Sequence, residues 1–335
     1  MGMGAEGTVL VAGAGGFIGG HLVASLIADG RSVRAADIKP LEDWFQLFPA
    51  AENLQLDLQR RDACFEAARD ARQIYDLAAD MGGMGFIENN KALCMLSSLI
   101  DIHLLEAARE SGCERFFYSS TACVYRDDTQ LDPANPGLRE SDAYPAMPED
   151  GYGWQKLFTE RMCRHFSEDF GLATRIARYH NVYGEQGTYD GGREKAPAAI
   201  CRKVAAAVLG GPHEIEIWGD GEQSRSFTYI DDCVYGTRAI LESDVSEPLN
   251  LGSDELVTIN QLVDLVEEIA GVKLERRYDA SAPQGVRGRC SDNTLIKAKL
   301  GWAPSTPLRE GIERTYRWVY DQLASGESRR STFAR

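Results

Sequence analysis

Tyr152 and Lys156 stand four residues apart at the start of a segment whose apolar residues recur with the period of an α-helix. Those apolar residues are Trp154, Leu157, Phe158, Met162 and Phe166. Positions i and i+4 lie one turn apart on the same helix face, so the lysine ammonium is expected beside the phenol. A nearby cation stabilises a phenolate and would lower the pKa of Tyr152 from its usual value of about 10, which would let it act as a base. Such pairs also occur on solvated helix faces, so the meaning of this one depends on whether a cofactor site lies upstream.

A glycine-rich loop near the N-terminus has the context of a dinucleotide site. The apolar strand at 9–12 leads into Gly13-Ala14-Gly15-Gly16-Phe17-Ile18-Gly19, and a helix is predicted over 21–28. Glycines allow a tight turn and close approach of the backbone, and a helix N-terminus offers N–H groups to a pyrophosphate. The predicted cofactor contacts here are Gly13, Gly16, Phe17, Ile18 and Gly19.

Asp37 ends the next predicted strand, residues 32–36. A carboxylate at this point can accept hydrogen bonds from both ribose hydroxyls and would repel a 2′-phosphate. The pattern therefore predicts NAD rather than NADP. The alternative is an ordinary glycine turn followed by a surface aspartate.

Strands and helices alternate over the first 180 residues. Further strands are predicted at 53–58, 74–79, 115–120 and 173–179, with a helix over 98–111. This alternation predicts right-handed crossovers and an α/β, doubly wound parallel sheet, whose ligands bind beyond the carboxyl ends of the strands. Asp57, Ala78, Thr121 and Cys123 fall at that edge. Residues 81–85, with three glycines, are expected to form a mobile loop beside the site.

The second half of the chain predicts a smaller C-terminal α/β lobe that holds the substrate. Residues 191–197 open a helix that continues to 208, strands are expected at 214–218 and 225–230, and helices at 259–270 and 308–323. Residues 127–150, rich in Pro, Asp and Glu, are expected to form a surface excursion. The predicted division places residues 1–180 and 226–250 in the nucleotide-binding domain, 181–225 and 251–323 in the second lobe, and 324–335 in a disordered tail.

Composition limits the function classes. The chain has 335 residues and a net charge of −15, which argues against nucleic-acid partners and anionic membranes. There is no apolar run long enough to span a membrane, no visible secretory signal and no Cys-x-x-Cys pair among the eight cysteines, so we expect a cytoplasmic protein with free thiols and no metal site. An acidic protein that binds a phosphate-bearing ligand must concentrate local cations. The candidates are Arg225 and Arg289 and, with weaker support, Arg287 and Lys203.

Taken together, the glycine loop, Asp37, Thr121 and Tyr152-x-x-x-Lys156 resemble the extended short-chain dehydrogenases/reductases that act on nucleotide sugars. Asn181-x-Tyr183-Gly184 and Arg225-Ser226-Phe227 resemble the segments that hold the diphosphate in that family. The resemblance covers residues 8 to 320. Four segments are similar to one group within it, the GDP-mannose 3,5-epimerases, namely residues 78–86, 120–125, 191–197 and 285–289. Glu185 and Ala12 depart from the wider family, in which proline and threonine are usual at these places.

The resemblance implies a Rossmann-type fold, NAD as cofactor, a GDP-sugar substrate and a homodimer formed through helices 98–111 and 152–170. It also implies transient oxidation at C4, which makes the C3 and C5 protons acidic, then epimerisation and re-reduction. Tyr152 would be the base for the oxidation, helped by Lys156 and Thr121. Cys123 and Lys195 would be the acid/base pair on opposite faces of the sugar. The implied substrate contacts are Gly82, Gly83, Met84, Asn181, Lys195, Lys203, Arg225, Arg287 and Arg289.

Other interpretations of these residues remain open. By itself, Cys123 is more often a small buried residue than a base, and Lys195 is more often solvated. Another nucleotide-sugar 4-epimerase or 4,6-dehydratase would need only the glycine and Tyr-Lys motifs. A dehydratase is expected to carry an acidic pair at positions 122 and 123, where this chain has Ala122 and Cys123. A non-catalytic, NAD-binding regulatory protein would have no use for an intact Thr121, Tyr152 and Lys156 set.

Overall fold

The structure, a computed structural model, describes residues 7–326. Its strands are, in chain order, β1 (Thr8–Ala12), β2 (Val33–Asp37), β3 (Glu52–Gln55), β4 (Ala71–Asp76), β5 (Arg115–Thr121), β6 (Ala173–Tyr179), β7 (Val182–Tyr183), β8 (Glu214–Trp218), β9 (Ser224–Ser226), β10 (Thr228–Tyr229), β11 (Leu249–Leu251), β12 (Leu256–Thr258), β13 (Glu275–Asp279) and β14 (Gly288–Arg289). Seven of them form one parallel sheet in the spatial order β11-β6-β5-β4-β1-β2-β3. The predicted α/β, doubly wound sheet is confirmed.

The helices within the same residues are α1 (Phe17–Ala28), α2 (Arg61–Ala68), α3 (Met84–Asn89), α4 (Lys91–Leu96), α5 (Ser98–Ser111), α6 (Tyr152–Phe170), α7 (Ala196–Val208), α8 (Ile230–Glu242), α9 (Ile259–Ala270), α10 (Thr294–Leu300) and α11 (Leu308–Ser325). Helices α2, α5 and α6 cover one face of the sheet, and α1 and α8 cover the other. Each face is sealed by apolar residues, as a buried parallel sheet requires. None of these helices is long and apolar enough to cross a membrane.

The C-terminal lobe packs α7, α9 and α11 together and adds short strand pairs. Strands β8 and β13 run parallel, and β9 pairs with both β12 and β14. One apolar cluster extends from Val11 in β1 and Leu22 in α1 to Leu262 in α9 and Val319 in α11. This lobe therefore shares a core with the large sheet. The domain boundaries given by the sequence remain a prediction.

Several segments differ from the sequence-based expectation. The prediction of a mobile loop at 81–85 is wrong for its last two residues, because α3 begins at Met84. The turn before α3 packs on residues 193 and 194. The strand expected at 225–230 is instead two short strands, β9 and β10, and the helix that follows, α8, was not predicted. Two apolar residues of α6 assigned to its helical pattern, Trp154 and Phe158, are 44% and 48% exposed. Helix α11 continues to Ser325, and the rest of the predicted tail, residues 327–335, lies outside the described residues.

Candidate active site

A cavity opens at the carboxyl ends of β1, β4 and β5 and is closed on its other side by residues of the C-terminal lobe. Its lining combines the glycine loop with four of the five predicted catalytic residues, in the order Gly13, Gly16, Phe17, Ile18, Gly19, Thr121, Tyr152, Lys156 and Lys195. With Gly82, ten of the 21 predicted site residues therefore line one cavity, and Cys123, Arg225 and Arg289 are outside its lining. Two further groups face the same space, namely Tyr179, Val182, Tyr183 and Gly184 of the β6–β7 region and Arg193 before α7.

The glycine loop is built for close backbone contact. Gly13 has φ +83°, and a Cβ there would lie 2.9 Å from the backbone N of Ala78. A Cβ on Gly19 would overlap the Gly13 carbonyl oxygen. Helix α1 starts at Phe17 with Gly16 as its N-cap and no side-chain cap, so its first N–H groups point into the cavity mouth. These N–H groups can donate to a pyrophosphate, which fits a dinucleotide at this loop.

Asp37 ends β2 beside the glycine loop and is 8% exposed. Its Oδ1 accepts a hydrogen bond from the Lys39 backbone N at 3.0 Å. Burial raises the pKa of Asp37, and the neighbouring Lys39 charge opposes this rise. Lys39 itself lines the cavity and donates from Nζ to the Gly15 carbonyl at 3.1 Å. Ribose recognition by Asp37 remains a prediction, and Lys39 is a cationic neighbour that the sequence reasoning missed.

The two remaining cofactor predictions differ in placement. The Ala78 backbone packs directly against Gly13, and its neighbours Leu77 and Ala79 line the cavity. Asp57 follows β3, where its Oδ1 accepts from the Gln59 backbone N at 3.1 Å. The described lining of the cavity does not include Asp57. Its local contact is that of a turn-forming aspartate.

Thr121, Tyr152 and Lys156 come together from two elements. Thr121 is the last residue of β5, and Tyr152 is the first residue of α6, with Lys156 one turn further on. All three side chains are buried, Lys156 to 1% exposure. The Lys156 Nζ lies 5.8 Å from the centroid of the Tyr152 ring and 4.6 Å from that of Tyr118. The predicted helical juxtaposition of phenol and ammonium is present.

The protonation of Tyr152 differs from the simple expectation. Burial raises the pKa of Tyr152 well above its usual value, the Cys123 thiol adds to the rise, and a hydrogen bond with Thr121 opposes it. The expected lowering by Lys156 is therefore wrong for the protein groups alone, because the desolvation of a phenolate outweighs their attraction.

Cys123 and Lys195 approach from different parts of the fold. Cys123 lies in a single 3-10 turn, Ala122–Val124, whose N-cap is Thr121, with the Thr121 Oγ1 accepting from the Cys123 backbone N at 3.2 Å. Its thiol is 7% exposed and lies 3.4 Å from Nη1 of Arg289. Lys195 is the N-cap of α7. Burial lowers the pKa of Lys195, and the Cys123 thiol opposes this change, which places the two groups within electrostatic reach of each other.

Arg225 and Arg289 form a cationic pair on neighbouring strands. The register of β9 and β14 sets them directly opposite each other. Arg225 donates to the Ser224 and Gln284 carbonyls, and Arg289 donates from Nε to Gln130 Oε1 at 2.6 Å. Burial and the neighbouring arginine lower the pKa of Arg225 to about 9. No carboxylate within residues 7–326 forms a salt bridge with either arginine, and like charges placed opposite each other are unfavourable unless an anion lies between them.

The other predicted substrate residues are placed less uniformly. Gly82 lines the cavity, Gly83 donates its N–H to the Arg193 carbonyl at 3.1 Å, and Met84 packs near Gly285. The remaining three already have protein partners. Asn181 donates to the Ser226 carbonyl, Lys203 donates to the Glu216 carbonyl, and Arg287 forms two hydrogen bonds with Asp220 at the surface.

Arg193 is the clearest residue that sequence reasoning passed over. Its Nη1 donates to Asp80 Oδ1 at 2.5 Å and to the Met81 carbonyl at 3.2 Å, and its guanidinium lies 3.8 Å from the centroid of the Phe86 ring. Arg193 thereby fastens the segment before α7 to the segment around α3. We call this set of contacts the Arg193 clasp. A signal was available, since Arg193 stands between two glycines and Lys195 in a segment already singled out.

Comparison with known proteins agrees with this geometry. A profile of the NAD-dependent epimerase/dehydratase family matches residues 9–252. The GDP-mannose 3,5-epimerase of Arabidopsis thaliana is 44% identical over 96% of this chain and 85% of the relative. The chain belongs to the NAD-dependent epimerase/dehydratase family. GDP-mannose 3,5-epimerase 1 of Oryza sativa subsp. japonica is 45% identical over 94% of this chain and 82% of the relative.

Solved structures of family members show the same architecture. UDP-glucose 4-epimerase from Thermotoga maritima, determined with UDP-glucose, has a TM-score of 0.85 at 27% identity, covering 94% of this chain and 99% of that one. UDP-glucuronic acid 4-epimerase from Bacillus cereus, determined with UDP-glucuronic acid and NAD, has a TM-score of 0.80 at 26% identity, covering 94% and 99%. Family membership and the NAD cofactor predicted from the sequence are confirmed. The roles of individual site residues remain predictions.

Proposed function

We propose that this family member converts GDP-mannose to GDP-L-galactose through C4 oxidation, epimerisation at C3 and C5, and C4 re-reduction. The observation that carries the proposal is the convergence of two sets of groups: Thr121, Tyr152, Lys156 and Lys195 line one cavity, and Cys123 packs in the same buried cluster as Tyr152. Thr121, Tyr152 and Lys156 form the set for oxidation, and Cys123 and Lys195 form the set for carbon acid chemistry. The relatives named GDP-mannose 3,5-epimerase, 44–45% identical over nearly the whole chain, support the same substrate.

In the oxidation step, Tyr152 takes the proton of the sugar 4-hydroxyl. When bound, NAD would accept a hydride from C4. The glycine loop and the α1 N-terminus would hold its pyrophosphate, and Asp37 would hydrogen-bond its ribose. Thr121 donates to the 4-oxygen, and the Lys156 side chain lies near the phenol. Burial raises the pKa of Tyr152, so proton removal by this phenol depends on the charges that surround it in the assembled site.

The C4 ketone changes the chemistry of its neighbours. A proton on C3 or C5 of such a ketone leaves as the enolate forms, and Thr121 and Tyr152 stabilise the enolate oxygen by hydrogen bonding. Inversion then requires a group that removes a proton from one face and a group that returns one to the other. Cys123 lies at the end of β5 and Lys195 at the start of α7, so they enter the site from different elements. Burial makes the Lys195 ammonium a stronger acid, which suits proton return.

The arginines opposite each other on β9 and β14 suit the diphosphate of the substrate. Arg225 is buried without a carboxylate partner among the described residues, in a chain whose net charge is −15. A guanidinium in such a place is stabilised by a phosphate group with matching geometry. Arg289 also contacts the Cys123 thiol, so we assign it to the sugar-proximal end of the site, with Arg225 further out.

A homodimer is part of the proposal. Trp154 and Phe158 on α6 and Leu96 and Leu99 at the α4–α5 junction are 38–48% exposed. They are exposed on helices that pack on each other at one face of the sheet, and we propose that together they form an apolar strip, the α6 strip. Apolar strips of this kind on a soluble fold are typical of protein interfaces. We place the protein in the cytoplasm, because its eight cysteines, all within the described residues, form no disulfide.

Incubation with GDP-mannose in D₂O, followed by NMR of the sugar protons, tests the proposed function. We expect deuterium at C3 and C5 together with the appearance of GDP-L-galactose, and no net change in bound NAD. Tyr152→Phe is the matched control, since it removes a single oxygen and should abolish exchange as well as epimerisation. Inversion at C4 or loss of water instead would assign a different reaction of the same family. Exchange at wild-type rate in Tyr152→Phe would contradict the oxidation step.

A further inference from the structure

Directly behind the Tyr152–Lys156 pair lie two buried carboxyl groups that the mechanism above does not use. Asp76 ends β4 and Asp101 lies in the first turn of α5, and they are 1% and 0% exposed. Each side chain acts electrostatically on Lys156 and on the other, which places all three groups in one cluster beneath the active site. The surroundings are apolar, including Ile74, Leu104 and Phe116 of the cluster that seals this face of the sheet.

The two carboxyl groups differ in the number of hydrogen bonds that they accept. Asp101 Oδ2 accepts from Tyr118 Oη at 3.0 Å, from Gln155 Nε2 at 2.5 Å and from Thr159 Oγ1 at 2.6 Å. By distance and angle, neither Asp76 carboxyl oxygen nor the second oxygen of Asp101 has a hydrogen-bond partner among the described residues, although the nearby Ala78 backbone N–H opposes the rise in the pKa of Asp76. Three donors at one oxygen stabilise an ionised carboxylate, whereas a buried carboxylate with none is unfavourable.

The carboxyl oxygens without a hydrogen-bond partner, both of Asp76 and Oδ1 of Asp101, can satisfy each other. Asp76 lies beside Tyr118 in the β4–β5 register, and Tyr118 donates to Asp101, so the two carboxyl groups are neighbours on the face of the sheet that α5 and α6 cover. Two acceptors can bond only if a proton lies between them, and two carboxylates this close in a low-dielectric interior do not both ionise. One shared proton therefore satisfies the oxygens that are otherwise without partners. It also makes the cluster neutral, since one carboxylate then balances the one ammonium of Lys156.

We propose that Asp76 and Asp101 form a proton-sharing carboxyl pair that positions Lys156, with Asp101 as its counter-ion and Asp76 as a neutral acid that donates to Asp101. The inference rests on the proposed role of Lys156 beside Tyr152. With the proton in place, Lys156 is held between the Tyr118 and Tyr152 rings and its charge remains available to the phenolate. Loss of the proton would add a negative charge beneath the site and oppose phenolate formation at Tyr152.

The other titratable groups around the pair contribute no charge that would make this shared proton unnecessary. They are Lys156 and Cys163 of α6, Tyr118 of β5, Cys64 of α2 and, further out, Tyr152. Burial raises the pKa of both thiols and of Tyr118, so these groups stay neutral and contribute no charge of their own. Burial likewise raises the pKa of Asp76, and the nearby Asp101 charge adds to the rise. The pair thus keeps its proton into the range in which other aspartates have lost theirs.

Infrared difference spectroscopy of the resting protein tests the shared proton without any turnover. The wild type at pH 7 should show the C=O stretch of a protonated carboxylic acid, shifted in D₂O, and Asp76→Asn should lack it. Glu267→Gln is the matched control, because this equally buried carboxylate lies in α9 between Lys273 and Arg276 and should leave the band unchanged. Absence of the band in the wild type, or its persistence in Asp76→Asn, would overturn the shared proton.

Kinetics of the same variants test the positioning role. Asp101→Asn should lower kcat by about 10²-fold, the typical cost of a misplaced catalytic group, with little change in KM or in bound NAD. Asp76→Ala should lower kcat by nearly as much. Asp76→Asn keeps a donor to Asp101, so its kcat should be close to the wild-type value and its activity should extend to higher pH. Wild-type kcat in Asp101→Asn would overturn the positioning role. A wild type inactive on GDP-mannose but showing the infrared band would instead remove the proposed function and leave the pair standing.

Discussion

Replacing Arg178 by methionine should destabilise the fold by about 3–5 kcal/mol, because it leaves a buried carboxylate without its counter-ion. Arg178 in β6 and Glu160 in α6 are 2% and 4% exposed at their side chains. Two N–H groups of Arg178 donate to the two Glu160 oxygens at 2.9 and 2.7 Å, and a third donates to the Glu140 carbonyl. Ser120, next to Thr121, also donates to Glu160 at 2.5 Å. The pair therefore ties the helix of Tyr152 to β6, and Ser120 ties the same helix to the strand of Thr121.

A loss of this size is a large part of the usual free energy of unfolding of a domain, about 5–15 kcal/mol. It corresponds to a fall in Tm of roughly 6–20 °C for a large domain. Denaturant unfolding at pH 7, followed by tryptophan fluorescence, measures it, and kcat at a temperature well below Tm reports whether Thr121 and Tyr152 have separated. The matched control is the double variant Glu160→Met/Arg178→Met. Apolar replacement of a whole buried ion pair is often neutral or stabilising, so the double variant should regain most of the stability.

Two results would refute this reasoning. If the free energy of unfolding of Arg178→Met lay within about 1 kcal/mol of the wild-type value, the Glu160 carboxylate would have to be solvated. Its burial does not allow this. If the double variant were as unstable as the single one, the loss would come from packing or from the Glu140 contact rather than from an uncompensated charge.

Cys123→Ala and Lys195→Met should each lower epimerisation by about 10²–10⁴-fold while NAD stays bound, and deuterium wash-in at C3 and C5 should survive only in the variant that keeps the base. Wild-type rates in both would place the acid/base pair elsewhere. Asp37→Ala should narrow the preference for NAD over NADP in calorimetric titrations, and an unchanged preference would show that Asp37 does not read the ribose. If the protein is the proposed homodimer, Trp154→Glu should convert it to a monomer in sedimentation velocity, and an unchanged dimer dissociation constant would exclude the α6 strip as the interface. Folding raises the pKa of Asp76, so its contribution to stability is complete below about pH 3.9 and declines as pH rises toward the folded value. Asp76→Asn should therefore gain stability over the wild type between pH 4 and pH 8 in denaturant unfolding, and a constant difference across that range would contradict the raised pKa.

Local sequence patterns predicted the parts of the site that depend on neighbours in the chain. The glycine loop needs only a strand, a tight turn and a helix in succession, and Tyr152 and Lys156 need only one helical turn. The alternation of strands and helices predicted the parallel sheet for the same reason, because crossovers have a fixed hand. These features were visible without knowledge of distant contacts.

Features that depend on long-range contacts were not visible. The meeting of Arg289 with Cys123 joins residues 166 positions apart, and the Arg193 clasp joins residues 113 positions apart. Apolar periodicity marked Trp154 and Phe158 but could not distinguish a face buried in the core from one exposed at the surface. Asp76 and Asp101 carried no signal, since aspartates in a strand and a helix become unusual only when folding buries them against each other.

The Arg193 clasp has a consequence for the order of events in a catalytic cycle. A ketosugar that escaped before re-reduction would leave the enzyme with its cofactor in the reduced form and unable to begin again. Arg193, 15% exposed at its side chain, joins the two segments that flank the cavity through Asp80 and the Phe86 ring. Opening this side of the cavity requires breaking an ion pair and an aromatic contact together, which slows release of whatever lies beneath. If release requires these two segments to separate, the clasp keeps a bound ketosugar in place while electrons return to C4.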